Sequence, residues 1–180
     1  MGGPSSGGGS AAGLTLLVRD RAEFGVAHQL LLYPMLDDTG STPSSRAITD
    51  PHTWNRANNE IAWRSYLGDA YGTDQVSPYA SPTRMQDLSG LPPTTVLTGE
   101  LDLFRDEDIH YAHRLLQAGV PTDLHVYAGA HHGCDRMVPD AQVTPVHRRP
   151  GRRPAARLHL RLRQTPTGGG FALGTGRVGR

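Results

Sequence analysis

The sequence contains no lysine, a single cysteine and few aromatic residues. All 18 basic residues are arginines, and Phe, Trp and Tyr make up only 6% of the 180 residues. The lone Cys134 excludes an intrachain disulfide, so the chain gives no sign of an oxidising compartment. No segment approaches the roughly 20 apolar residues of a membrane helix, and the amino terminus lacks the basic and apolar regions of a signal peptide. These absences predict a soluble cytoplasmic protein without a membrane partner.

Acidic residues are absent from the last forty positions. Residues 1–140 hold all 17 acids beside nine arginines, and residues 141–180 hold the other nine arginines. This last part is rich in Arg, Pro and Gly and cannot bury enough apolar surface to offset the conformational entropy lost on ordering. We therefore predict a folded domain over residues 1–140 and a disordered tail over residues 141–180.

Three short apolar segments have the composition of buried parallel strands. They are HQLLLYP at 28–34, TTVLT at 94–98 and LHVY at 124–127. A nearly unbroken apolar run of this length is typical of a strand that is covered on both faces.

A helix is predicted between the second and third of these segments. Three consecutive acids at 106–108 suit the positive first turn of a helix, and Gly119 with Pro121 ends it. Its apolar stripe is formed by Ile109, Ala112 and Leu116. Strand, helix and strand with short connections indicate an α/β fold with about three parallel strands.

The connection over residues 35–91 is too long for a plain crossover. It contains a predicted helix at 51–67, with Asp50 as its N-cap and Gly68 after its end. One face of this helix is formed by Trp54, Ala57 and Ile61. An insertion here would overhang the carboxyl ends of the strands, where such sheets place their sites. We predict a cap-like insertion, and the alternative of an ordinary core helix with a surface loop stays open.

The first ten residues are almost entirely Gly, Ser and Pro, which suits either a flexible linker or a catalytic turn. Gly3-Pro4-Ser5-Ser6-Gly7 matches the G-x-S-x-G pattern of a nucleophile elbow. In such an elbow the serine occupies a strained turn between strand and helix, and the glycines avoid collisions with neighbouring backbone. The amide of Ser6 would then donate to a developing oxyanion. The apolar segment at 11–21 is consistent with a helix that leaves this turn.

Two further residues suit an acyl-transfer site. Asp102 follows the second apolar segment, where a carboxylate is well placed to orient an imidazole; the alternative is that Asp102 or Asp106 caps the next helix. His132 follows the third segment, beside His131 and before a glycine. A surface histidine or a metal ligand are the alternatives, but no Cys/His/Asp cluster elsewhere has suitable spacing, and no metal or cofactor is predicted. The chain order Ser, Asp, His is the order of the α/β-hydrolases.

With these residues the chain resembles the hormone-sensitive-lipase-like group of α/β-hydrolases, the fold-3 esterases often described as acetyl esterases. The resemblance covers residues 1–140 and is carried by the segments GGGSAAGLTLLVRDR, LLLYPMLDD, SPYASP, LSGLPPTTVLTGELDLFRDED, YAHRLLQAGVPTDLHVY and GAHHG. It implies Ser5 as the nucleophile, with Asp102 and His132 completing the catalytic triad. It also implies hydrolysis of small short-chain esters through an acyl-enzyme, without a cofactor.

The chain departs from this family in several places. The His-Gly-Gly-Gly loop, which supplies further oxyanion donors, and the first half of the sheet are absent, and Pro4 and Ser6 are unusual neighbours of the serine. We therefore expect a truncated α/β-hydrolase fold in which Met1 is an internal methionine of a longer protein and the tail is an out-of-frame reading. Its first strand would expose an unpaired apolar edge, through which two copies could pair.

Two functions other than catalysis remain open at this point. The first is a catalytically inactive α/β-hydrolase fragment that acts at most as a binding module. The second is nucleic-acid binding through the arginines of the tail, which could contact phosphates without sequence preference. The tail has no interleaved aromatic residues and no recognised motif, so a nucleic-acid partner is not expected.

Overall fold

The computed structural model describes residues 1–137, so the tail predicted over residues 141–180 lies outside the described residues. The strands are β1 Gly2–Pro4, β2 Gln29–Leu32, β3 Thr94–Leu101 and β4 Thr122–His131. The helices are α1 Ser6–Arg21, α2 Pro43–Ala47, α3 Arg56–Leu67, α4 Arg105–Gln117 and α5 Cys134–Met137, with short 3-10 turns at Gly68–Ala70 and Pro82–Arg84. None of the described helices is long and apolar enough to cross a membrane.

The four strands form one parallel sheet in the order β1-β2-β3-β4, which confirms the predicted α/β class with one strand more than expected. The additional strand is β1, whose three residues pair with Leu30, Leu31 and Leu32 of β2. The three apolar segments predicted no strand before Ser5, and β1 supplies a short one that leads into this residue. Because β1 pairs with β2, the apolar strand β2 is not at the edge of the sheet. The edge strand on this side is β1, which consists of Gly2, Gly3 and Pro4.

The largest core lies between the sheet and the helices α1 and α4. Leu31 of β2 and Val96 of β3 are register partners, and both are fully buried under side chains of these two helices. The remaining members of this core include Ala12 and Leu16 of α1 and Tyr111, Ala112 and Leu115 of α4. Along β2, buried residues alternate with half-buried ones, so one face of this strand is better covered than the other, in contrast to the prediction of two covered faces.

Helix α1 begins at Ser6, five residues before the segment predicted to be helical. Its glycines allow this, since they let the helix lie directly against neighbouring backbone. A Cβ added at Gly9 would collide with the carbonyl oxygen of Met35, and one added at Gly13 would collide with that of Tyr79. The Gly-rich amino terminus is therefore a packed helix start and not a flexible linker.

Helix α3 begins later than predicted and buries a different face. Its N-cap is Asn55, whose side chain accepts a hydrogen bond from the Asn58 amide at 3.1 Å. Asp50 instead accepts from His52 in the preceding turn, so the predicted cap is wrong. The buried residues of α3 are Asn59 and Trp63, whereas Ile61 is 63% exposed. The buried face of α3 is therefore not the predicted one.

Helix α4 ends as predicted, with Gly119 at φ 79° directly after its C-cap. Of the predicted stripe only Ala112 is fully buried, and Leu116 is 52% exposed. The buried face also includes two acids of the first turn, Glu107 and Asp108. The pattern placed the helix correctly and assigned its inner face wrongly.

An ion pair ties the loop after β2 to the 3-10 turn at Pro82–Arg84. Arg84 donates from Nε and Nη2 to the two carboxylate oxygens of Asp38, at 2.7 and 2.8 Å. The Asp38 side chain is 1% exposed. Burial acts to raise the pKa of Asp38, but the hydrogen bonds from Arg84 and Ser81 outweigh it, so the pKa is lowered from its ordinary value.

We expect Gly9→Ala to destabilise the protein by about 1–3 kcal/mol, because its new methyl group collides with backbone that cannot move aside as a side chain would. Gly7→Ala is the matched control, since the added Cβ meets only Pro4 Cδ at 3.7 Å. Alanine there should stabilise the helix by up to about 1 kcal/mol. Urea unfolding of both variants measures the effect, and equal shifts in the two would contradict it.

We expect Asp38→Asn to lower the free energy of unfolding near pH 7 by about 1.5–3 kcal/mol, because a charged hydrogen-bond pair is lost. A carboxylate with a depressed folded-state pKa stabilises above its unfolded pKa, and that stabilisation is lost as the pH falls through the folded pKa. The difference from the unaltered protein should therefore shrink as the pH falls below 3.8, the ordinary value. Unfolding curves across this range measure it, and a difference independent of pH would refute the assignment.

Candidate active site

Ser5 occupies the turn between β1 and α1 in a strained conformation, with φ 54° and ψ −127°. Positive φ is uncommon for residues other than glycine and persists only where the surroundings impose it. Here the Ser5 amide donates to the Leu32 carbonyl at 2.9 Å, and its own carbonyl accepts from Gly9 at 3.0 Å and Met35 at 3.1 Å. Three backbone hydrogen bonds therefore hold this turn in the shape of a nucleophile elbow.

The two glycines of the G-x-S-x-G pattern have different roles. A Cβ added at Gly3 would lie 2.8 Å from the carbonyl carbon and oxygen of Gly7, which is too close. A Cβ added at Gly7 has room, with Pro4 Cδ at 3.7 Å as its nearest neighbour. The steric reason given for the pattern therefore holds for Gly3 and is wrong for Gly7.

The structure brings the three predicted triad residues into one chain of hydrogen bonds. Ser5 Oγ lies 3.0 Å from His132 Nε2. His132 Nδ1 lies 2.9 Å from Oδ2 and 3.2 Å from Oδ1 of Asp102. Ser5 follows β1, Asp102 follows β3 and His132 follows β4, so the parallel sheet delivers all three side chains to the same edge.

The imidazole of His132 is largely shielded from water by aromatic rings. Its side chain is 11% exposed. Tyr33 and Phe104 contact it edge to face, with ring centroids at 4.8 and 5.2 Å, and Trp54 lies at 6.1 Å. A low-dielectric surrounding of this kind strengthens the hydrogen bonds on either side of the ring.

The Asp102 carboxylate is fully buried and has two partners. It orients His132 and also accepts the Phe104 amide through Oδ1 at 3.0 Å. Phe104 holds the N-cap position of α4. Asp106 lies within the first turn and accepts the Ser44 amide at 2.7 Å, so the alternative that Asp106 caps this helix is wrong.

Ser6, the residue predicted to supply an oxyanion donor, directly follows Ser5. It is the first residue of α1 and is exposed, and the first amides of a helix have no intrahelical acceptor. Within residues 1–137 no hydrogen bond to the Ser6 amide is found. This amide also lies at the positive end of the helix dipole, which favours a developing negative charge.

A cavity of about 160 Å³ lies beside Ser6, between α1 and α3. Its walls are mainly apolar and are formed by Ser6, Gly9, Ser10, Met35, Ala62, Trp63, Tyr66 and Ala80. Neither Ser5 nor His132 is among these residues, so the cavity reaches the elbow through Ser6 alone. It has room for a small apolar group near the start of α1.

The described residues contain no group of three or more His, Cys, Asp or Glu side chains that could hold a metal ion. His131, considered above as a partner of His132 in such a site, has Nδ1 2.9 Å from the His132 carbonyl oxygen. Its ring therefore interacts with backbone.

Sequence reasoning missed several residues that surround the triad. Tyr33 packs on His132 and donates its hydroxyl to Asp135 at 2.7 Å. Glu107 accepts two backbone amides of the loop after β2 from a fully buried position. A signal existed for Glu107, because it precedes Tyr111 and Leu115 at helical spacing, and both of these lie in the core.

Comparison with known proteins agrees with this geometry. A family model described as alpha/beta hydrolase fold matches residues 1–136. The carboxylic ester hydrolase LipN of Mycobacterium tuberculosis is 32% identical over 137 residues, covering 74% of this chain and 36% of LipN. A bacterial heroin esterase has 48% identity and a TM-score of 0.76, covering 79% of this chain and 45% of the esterase. The esterase LipW of Mycobacterium marinum has 38% identity and a TM-score of 0.73, with 79% and 44% covered.

The chain thus spans between about a third and a half of the length of these relatives. The family-model match over residues 1–136 includes every described strand and all three residues of the hydrogen-bonded chain. On these grounds the chain belongs to the alpha/beta hydrolase fold family, and the resemblance to its fold-3 esterases is confirmed.

Proposed function

We propose that this chain carries the catalytic triad of a carboxylic ester hydrolase. The observation that carries the proposal is the continuous hydrogen-bonded chain from Ser5 Oγ through His132 to the buried Asp102. Similarity to proteins named as esterases supports the same reaction class. Serine, imidazole and carboxylate in this order are the parts of an activated nucleophile.

In the first half of the reaction, Ser5 Oγ attacks the ester carbonyl carbon while His132 Nε2 takes the hydroxyl proton. The carbonyl oxygen becomes an oxyanion, to which the Ser6 amide donates. Collapse of this intermediate breaks the bond to the leaving alcohol, and the imidazolium returns its proton to the alcohol oxygen. The acyl group is then bonded to Ser5.

In the second half, water takes the place of the alcohol. His132 accepts a proton from the water as its oxygen attacks the acyl carbon, and the same amide stabilises the second oxyanion. The bond to Ser5 Oγ breaks, the serine regains its proton and the carboxylic acid leaves. Asp102 holds the tautomer with hydrogen on Nδ1 and stabilises the imidazolium in both halves.

The cavity beside Ser6 supports a preference for small esters with short acyl chains. The leaving alcohol must lie against His132 Nε2 to receive its proton, and His132 does not line the cavity. We therefore assign the acyl group of the substrate to the cavity. A volume of about 160 Å³ is close to that of the engineered cavity of about 150 Å³ that holds one benzene molecule.

A second candidate is a non-catalytic binding module. It is favoured by the single oxyanion donor assigned within residues 1–137, the Ser6 amide, since losing one such donor typically costs about 10²–10³ in turnover. The predicted cytoplasmic location and the pairing of two copies through a sheet edge stay predictions, as does the cap-like role of residues 35–91.

We expect the full chain to hydrolyse p-nitrophenyl acetate and butyrate, and Ser5→Ala to remove this activity because the nucleophile is lost. Asp102→Asn should lower kcat by up to about 10⁴-fold, because it favours the wrong imidazole tautomer. Ser65→Ala, which removes an exposed hydroxyl of α3, is the matched control. Release of p-nitrophenol measures all four proteins. Equal rates for the unaltered chain and Ser5→Ala would favour the binding module.

We expect Ala62→Leu to fill part of the cavity and so to discriminate against longer acyl chains. Relative to the unaltered chain, kcat/KM should fall about 10-fold or more for the hexanoate ester and little for the acetate, since one excluded methylene is worth about 1–3 kcal/mol. A p-nitrophenyl ester series with a constant alcohol measures this. An equal loss of kcat/KM for the acetate and the hexanoate would show that the acyl group lies elsewhere.

A further inference from the structure

Glu107 is a buried carboxyl group that lies outside the triad and makes hydrogen bonds close to it. Its side chain is 1% exposed. One oxygen, Oε1, accepts the amide of Leu36 at 2.7 Å and that of Asp37 at 3.1 Å. Both amides belong to the loop that follows β2. A helix residue thus binds the backbone of a loop about seventy positions earlier in the chain.

This loop is in direct contact with the elbow. The amide of Met35, the residue before the two bound by Glu107, donates to the Ser5 carbonyl at 3.1 Å. At the other side, the Leu36 carbonyl accepts the hydroxyls of Ser81 and Thr83 at 3.0 and 3.1 Å. Both the amide and the carbonyl group of Leu36 are therefore held by hydrogen bonds. The neighbouring residue Met35 is positioned by them, and its amide in turn binds the Ser5 carbonyl.

The other side of the triad lies at the start of the same helix. Asp102 precedes Glu107 by five residues, and its carboxylate accepts the Phe104 amide at 3.0 Å. The Phe104 carbonyl in turn accepts the Asp108 amide at 2.9 Å, in the first turn of α4. These hydrogen bonds hold residues 102–108, which include both Asp102 and Glu107, as one short rigid segment. The contact between Glu107 and the loop after β2 therefore also sets the distance from Asp102 to Ser5.

We infer that Glu107 is a positioning residue, which fixes the Ser5 turn relative to the Asp102–His132 pair by binding the Leu36 and Asp37 amides. The inference rests on the proposed function. Neither residue of the Ser5–His132 hydrogen bond touches Glu107, so its effect is exerted through the loop after β2.

The chemistry of a carboxyl group suits this task in either protonation state. Burial raises the pKa of Glu107 well above its usual range, although the hydrogen bond from Leu36 acts in the opposite direction. The second oxygen, Oε2, is buried and has no partner among the described residues. A proton on Oε2 leaves Oε1 free to accept both amides, and a glutamine in place of Glu107 retains the same acceptor.

Asp108 supplies a matched control. It is the next residue, is equally buried and also has its pKa raised well above its usual range, chiefly by burial. It makes no hydrogen bond to the loop after β2 within the described part of the chain. Asp108→Asn therefore alters a buried acid at the same helix turn without altering the contact that is tested.

The test compares Glu107→Gln, Glu107→Leu and Asp108→Asn in the full chain, with amide hydrogen exchange and hydrolysis of p-nitrophenyl acetate as readouts. In Glu107→Leu we expect exchange of the Met35 amide to accelerate at least about tenfold, together with the Leu36 and Asp37 amides. We also expect kcat to fall about 10–100-fold with KM nearly unchanged, because a displaced nucleophile affects chemistry more than binding. Glu107→Gln and Asp108→Asn should keep both Met35 protection and kcat.

Three results would overturn the inference. They are unchanged Met35 exchange in Glu107→Leu, equal losses in Glu107→Gln and Glu107→Leu, and an equal loss of kcat in Leu115→Ala, which weakens the core on the same helix. If Glu107→Leu does not fold, Glu107→Asp takes its place, because its side chain is one methylene shorter and its carboxyl group lies farther from the loop. Met35 exchange and kcat are then compared between Glu107→Asp and Glu107→Gln. If the unaltered chain is no more active than Ser5→Ala, the proposed function fails, and Met35 exchange alone decides whether Glu107 positions Ser5.

Discussion

The carbonyl group of Ser5 accepts two backbone amides, and the geometry of the site depends on this pair of hydrogen bonds. One amide comes from Gly9 in the first turn of α1 and the other from Met35 in the loop after β2. A residue with φ 54° relaxes unless its surroundings oppose it. The hydrogen bonds from the helix and the loop keep Ser5 in this conformation. In this conformation Ser5 Oγ points toward His132. The site is therefore held by backbone contacts that side-chain composition alone does not reveal.

Those contacts require unusually close packing, which explains the glycine content of α1. At Gly9 the helix lies against the Met35 carbonyl, in the same loop whose amide holds Ser5. A larger residue at this position would separate the helix from the loop and so remove one of the two hydrogen bonds on which the turn depends. Glycine normally weakens a helix interior, and here that cost is offset by contacts that preserve the active geometry. Stability of the helix and geometry of the turn are thus set by the same residues.

The sequence predicted the proximity of Ser5, Asp102 and His132 better than it predicted the buried faces of the helices around them, and their catalytic roles stay a proposal. Asp102 and His132 each follow an apolar segment, and a parallel sheet brings such positions to the same end of its strands. Ser5 was predicted from the match of residues 3–7 to G-x-S-x-G. Helix faces were less well predicted, since Ile61 and Leu116 are apolar but exposed, while Asn59 and Glu107 are polar but buried. Periodicity reports which side could be buried and not which neighbour covers it. The start of α1 was missed because a run of Gly and Ser has low helix propensity, and tertiary packing overrides it.

Three buried acids in and just before the first turn of α4 make different contacts. Asp102, Glu107 and Asp108 are all buried, and the charge of Asp102 contributes to raising the pKa of the other two. Within residues 1–137, Asp102 is the one of these three acids that is paired with a basic side chain, that of His132. Like charges in a site of low dielectric disfavour one another, so Glu107 and Asp108 retain their protons more readily and do not compete for the imidazole. Additional buried acids beside Asp102 are therefore compatible with the proposed function. Asp102 binds the imidazole of His132, whereas Glu107 binds backbone amides of the loop after β2.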